Sequence, residues 1–189
     1  MKKQLFYIFL IVFNSSIFSQ TQRADLIFID GDTIQGLALI TRNHKIKFKL
    51  SHDDKAEKWD FRIVKGVTFY GFEEVREFEY IKVDNKRKPL LLEVKHRGKV
   101  SIYEDRFLVY NSLLGTNNLR GSLPYENKVT YLKRADEVSA KNLFGFNFRK
   151  NAKAFFRDCP EIIEIFNSNE YRKYTLQEIA LEYNVFCSE

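Results

Sequence analysis

The chain has 189 residues, of which 44% are hydrophobic and 30% charged, with a formal net charge of +6. That length suits one domain behind a leader, and the mild basic excess carries no nucleic-acid-reading motif, which argues against a nucleic-acid partner. No stretch approaches the roughly 20 apolar residues of a bilayer span, so the mature chain is expected to lack a transmembrane segment.

The first 19 residues have the three-part layout of a secretory signal peptide. Lys2 and Lys3 are its positive end, Leu5 to Phe13 its apolar run, and Asn14, Ser15 and Ser16 break that run. Ser19 is the small residue before the cut, Gln20 becomes the new N-terminus, and no cysteine follows to direct lipoprotein processing. Losing Lys2 and Lys3 takes the net charge from +6 to +4. A secreted or periplasmic location follows as an expectation. In such a compartment disulfides persist, so the two cysteines, Cys159 and Cys187, are expected to bond to each other. Closing that loop would contribute about 3.5 kcal/mol by the chain-entropy argument.

From Ala24 to about Tyr103 the pattern is strand, turn, strand. Leu26 to Ile29 is an apolar run, Asp30-Gly31-Asp32 a hairpin turn of the type I′ kind, and Thr33 to Thr41 the returning strand. Lys45 to Leu50 alternates strictly, which puts Ile46, Phe48 and Leu50 on the core face and Lys45, Lys47 and Lys49 toward water. Trp59, Phe61 and Ile63 repeat that spacing, and Val67 to Tyr70 and Phe78 to Val83 follow. Leu90 to His96 and Val100 to Tyr103 form another hairpin across Arg97-Gly98-Lys99. The polar segment from Asn111 to Asn127 reads as a long loop, after which Tyr131 and Leu132 return to the sheet. There is no room for crossover helices, so the sheet is expected to be antiparallel, closed as a barrel or folded as a sandwich.

Past Lys141 the period becomes 3.6. Ala152, Phe155, Phe156 and Cys159 make one apolar stripe, and Pro160 opens a second helix with Asp158 as its cap. Thr175 and Glu178 form a capping box for a third, whose inner face is Leu176, Ile179, Ala180 and Tyr183. The expected class is α+β: a mainly antiparallel sheet over 20–140, then a short helical cap over 141–189 packed on it.

The Asp30-Gly31-Asp32-Thr33-Ile34 turn with Gly36, the Gly98 to Tyr103 hairpin, Asp158-Cys159-Pro160 and Tyr183-Asn184 together resemble a family of small uncharacterised proteins with signal peptides from Gram-negative bacteria. The resemblance covers most of the mature chain and implies export and a β-rich fold, with no catalytic role. The cysteine at the very end departs from what all such relatives need share.

Candidate chemistry is sparse. His44 and the His52-Asp53-Asp54 run offer metal-type ligands, but an alternating strand separates them, and a solvated turn explains them equally; no metal or other cofactor is expected. Glu73 and Glu74, and Glu77 with Glu79, are carboxylate pairs; Glu77 and Glu79 share a strand face at the spacing a glycosidase could use, though surface charge explains them better. No serine lies in a nucleophile elbow, and the cysteines are consumed, so no catalytic residue is assigned. Lys45, Lys47 and Lys49 with the Lys86-Arg87-Lys88 loop are the candidate binding residues for an anionic ligand if they meet on one surface. A non-enzymatic exported protein with a structural or partner-binding role is therefore expected, its partner an envelope protein or polysaccharide, and its contact the 111–127 loop. The alternatives are a hydrolase of envelope polymers and a module that docks on anionic membrane or polysaccharide.

Overall fold

The computed structural model describes residues 21–71, 74–109, 125–168 and 170–187. The proposed signal segment and positions 111–124 of the proposed loop lie outside the described residues. Nine strands, β1 (Gln22–Phe28), β2 (Thr33–Ile40), β3 (Ile46–Lys49), β4 (Glu57–Trp59), β5 (Val64–Tyr70), β6 (Val75–Ile81), β7 (Leu90–His96), β8 (Val100–Val109) and β9 (Tyr125–Arg134), precede three short helices. These are α1 (Phe148–Phe155), α2 (Pro160–Asn167) and α3 (Leu176–Phe186), with a 3-10 turn, Glu170–Lys173, before the last.

The α+β class and the antiparallel pairing are as the sequence implies, but the closure is not. The strands form one sheet in the order β4-β3-β2-β1-β5-β6-β7-β8-β9, so β4 and β9 are its edges and it is neither a closed barrel nor a two-sheet sandwich. Period-2 patterning reports which side of a strand is buried and is silent on what buries it. Here the inner face of β1–β5 buries Ala24, Leu26, Ala38, Ile46, Phe48, Val64, Val67 and Phe69 with Leu91 of β7. Val100 and Ile102 of β8 and Leu132 of β9 pack instead against the helices. The helices thus occupy the room a second sheet would take. On the outer face Ile81, Val83, Leu92, Tyr103, Tyr131 and Ala140 form a third cluster.

Several element boundaries differ from the sequence reading for local reasons. The β1–β2 connection is a three-residue loop, in which Phe28 N–H donates to Asp32 O (2.8 Å) and only Gly31, at φ +99°, leaves the ordinary backbone regions. A two-residue Asp30-Gly31 turn would need a positive φ on Asp30 as well as on Gly31, and the extra residue avoids that. β3 ends at Lys49, which leaves Leu50 exposed rather than in the core. Phe61 and Ile63 do not extend β4, because Asp60 binds the Arg62 backbone N–H (3.2 Å) and guanidinium and turns the chain. β6 starts earlier than expected, at Val75, while Val83 only bridges Ala140. Residues 125–127, read as the end of the loop, belong to β9.

Within the cap, Ala152, Phe155, Phe156 and Cys159 are all buried, as is the predicted inner face of α3. The capping box is made: Glu178 N–H donates to Thr175 Oγ1 (3.2 Å), and Thr175 N–H to Glu178 Oε2 (2.6 Å). Cys159 and Cys187 form the expected disulfide, with Cα atoms 5.8 Å apart. Asp158, however, caps nothing; Cys159 is the N-cap of α2 and makes no side-chain cap bond. Asp158 instead takes a bidentate Arg134 fork (2.8 and 2.7 Å) and the Tyr183 hydroxyl (2.7 Å), joining β9 to α3. Asn184 of α3 completes the join. Its Oδ1 accepts from Val100 N–H (2.8 Å) and its Nδ2 donates to Val100 O (2.7 Å), where a further β7 residue would otherwise pair. A Cβ on Gly98 would lie 2.7 Å from that amide, so the hairpin needs glycine there.

Candidate functional site

β7 and β8 pair only from Glu93–Glu104 to His96–Ile102, after which β8 runs on beside β9 alone. The strands therefore part beyond Glu93 and Glu104. His44, at the β2–β3 turn with φ 52°, sits at this parting: its Nδ1 is 3.3 Å from Leu91 O of β7, and its Nε2 is 3.8 Å from Asp105 Oδ2 of β8. Tyr80 OH holds the turn by donating to His44 O (2.7 Å). The result is a cleft of about 690 Å³ whose lining includes Arg42, His44, Arg76, Glu93, Glu104, Asp105 and Arg106.

Two acids directly opposite each other on neighbouring strands repel unless cations intervene. Glu93 and Glu104 are such a pair, each almost fully buried. Arg76 meets Glu93 as a two-pronged fork (3.0 and 3.0 Å), Lys95 adds a third contact (2.8 Å), and Arg106 lies 3.7 Å from Glu93 and 3.1 Å from Glu104. Lys128 of β9 reaches Glu104 at 2.8 Å. Burial alone would push the Glu93 carboxyl up, but the bonds from Arg76 and Lys95 outweigh it and hold it below its ordinary value. Asp105 goes the other way: burial raises it, against the attraction of His44 and Lys86. The cleft is thus a lattice of ion pairs with one carboxyl, Asp105, that burial favours in its neutral form.

The six predicted binding cations do not form one surface. Lys45, 3.9 Å from Asp60, and Lys88 do line one cavity, of about 470 Å³, with Tyr80 and Arg62. Lys47 faces Lys58 of β4, and Lys49 donates to His52 O (2.6 Å). Lys86 lines a separate cavity with Arg134 and Lys141, and Arg87 is exposed in the turn before β7. Glu77 and Glu79 do share a face, but Arg97 clasps both (2.6 and 2.9 Å). Glu74 is exposed, and Glu73 lies outside the described residues. His52 and Asp53 are exposed, and Asp54 is spent on Ser51 N–H (2.8 Å) and Oγ (2.7 Å), apart from the His44 site. Among the described residues, the one trio of metal-type ligand atoms close together is Cys159, Glu161 and Cys187, whose sulfurs are already bonded to each other.

Sequence reasoning passed over Arg76, Glu93, Glu104, Asp105 and Arg106. A signal was present: Glu93 and Glu104 fall at inward positions of apolar strands, where a charge needs a partner. Which partner supplies it depends on the strand order. Comparison with protein-family models, curated proteins and solved structures finds no match for this chain.

Proposed function

We propose that this is an exported, non-enzymatic binding protein whose cleft between the β2–β3 turn and strands β6–β9 takes a polar segment of an envelope protein or polysaccharide. The observation that carries this reading is the pairing of Glu93 and Glu104 with Arg76, Lys95, Arg106 and Lys128. Glu93, held below its ordinary value by its cations, is a poor proton donor, whereas half-exposed arginine forks, such as Arg76 and Arg106, keep N–H groups for a ligand. Export is supported by the leader pattern and by a disulfide that an oxidising compartment would preserve. The test is capture of partners from the envelope fraction by the purified protein, compared with Arg76→Gln, in which Lys95 still compensates Glu93. Loss of the captured partner in the variant is the expected result; equal capture by both would remove the cleft from the binding site.

The hydrolase reading has one observation in its favour, the His44–Asp105 approach at 3.8 Å. No described serine or cysteine nucleophile lines that cleft, and Thr41 Oγ1 donates to Lys45 O (3.0 Å). Wild type and His44→Ala are expected to release no fragments from isolated envelope polymers. Release by wild type that His44→Ala abolishes would establish an enzyme.

A further inference from the structure

The cap exposes two phenylalanines beside an uncompensated basic helix, a combination that the cleft does not use. Phe146 is fully exposed and Phe144 is 57% exposed, on a loop anchored by buried Leu143 and by stacking of Phe144 on Phe148 (centroids 5.3 Å apart). Gly145, at φ +138°, separates the two rings and sets the bend between them. Directly after this loop, α1 and the following turn carry Arg149, Lys150, Lys153 and Arg157, and no acid occurs between Lys141 and Asp158.

Arg149 donates to Asn167 O (3.0 Å) and Lys153 to Asn167 Oδ1 (2.5 Å), both neutral acceptors that leave the charge in place. Lys150 and Arg157 are exposed and make no ion pair among the described residues. Lys141, by contrast, is neutralised by Glu137 (2.5 Å) and is not counted. Four positive charges therefore follow the two protruding aromatic rings in the chain, Arg157 also lining a cavity with Asp84, Asp136 and Glu137.

We propose that this loop and α1 dock the protein on an anionic lipid bilayer, with Phe144 and Phe146 entering the headgroup boundary and Arg149, Lys150, Lys153 and Arg157 meeting the phosphates. The chemistry of each half points the same way. An apolar tip gains by leaving water at the interface, and a basic surface within a Debye length of anionic headgroups is attracted to them. A soluble anionic polymer satisfies the cations but offers the rings no apolar phase. Of the strand row Lys45, Lys47 and Lys49, Lys45 lies 3.9 Å from Asp60 and Lys49 donates to His52 O (2.6 Å), so that row is partly engaged within the sheet.

The test is co-sedimentation of the purified protein with phosphatidylcholine vesicles with and without about one-third phosphatidylglycerol, at low and high salt. Binding to the anionic vesicles alone, weakening steeply with salt, is expected. The Phe144→Ala/Phe146→Ala and Lys150→Glu/Arg157→Glu double variants should each lose about tenfold or more. Both alter exposed positions, so circular dichroism should show them folded, and the N-terminal apolar run is the same in every protein compared. No vesicle binding by wild type, undiminished binding by the aromatic variant, or equal binding to neutral vesicles would each overturn the proposal. So would equal inhibition of wild type and aromatic variant by a soluble acidic polysaccharide if vesicle binding needs no aromatic ring.

Discussion

Asp158 accepts three hydrogen bonds from two elements, and its protonation sets an acid limit on how the cap is held. The Arg134 fork, aided by Tyr183, draws its carboxyl well below the ordinary carboxylate range, despite some desolvation. A carboxyl lowered on folding stabilises the fold above its unfolded value, about 3.9, and loses that contribution as pH falls toward the folded value. Acid should therefore loosen the cap below about pH 4. Because Asp158 is about one-third exposed, Asp158→Asn is expected to cost only about 1–2 kcal/mol at pH 7 and to flatten the acid limb, read by chemical unfolding at several pH values. Arg106→Ala should cost a similar amount, about 1–2 kcal/mol, since Arg106 is 38% exposed and Arg76, Lys95 and Lys128 still compensate the two buried acids; a shift in denaturation midpoint measures it. Neither role was legible in the chain alone. Asp158 one residue before Cys159-Pro160 looks like a cap, and only the placement of β9 beside the helices supplies a stronger partner.

Elements were more legible than contacts. The α1 stripe, the Thr175–Glu178 box and the α3 inner face follow from spacing within a few residues, and each occurs as the spacing implies. Strand ends did not, because side chains such as Asp60 end a strand by bonding to nearby backbone, which alternation does not report. The cap should respond strongly to its covalent tie. Replacing both Cys159 and Cys187 by serine is expected to cost about 3.5 kcal/mol, with helical signal lost at lower denaturant than sheet signal. Thr175→Ala, which removes the hydroxyl that accepts from Glu178 N–H (3.2 Å) and donates to Glu178 Oε2 (2.9 Å), should cost about 1 kcal/mol in the same measurement.

At the scale of the whole molecule, the fold class was legible and the architecture was not. Alternating strands that precede helical stripes specify antiparallel β followed by α. Whether such strands close into a ring depends on which distant strands meet, and the helices settle it by covering β8 and β9. The strand order has a further consequence. Seven of the eight neighbouring pairs join strands adjacent in sequence, and the exception is β1 beside β5. The sheet is thus two meanders zipped along one seam, from Ala24–Phe69 to Phe28–Val64, and linked by the Asp60–Ile63 turn. Two separately produced pieces, divided between Phe61 and Arg62, should find each other and rebuild the sheet without a peptide link. A Leu26→Asp change, at the middle of the seam, should stop them, as mixing the pieces and following β-sheet circular dichroism would reveal.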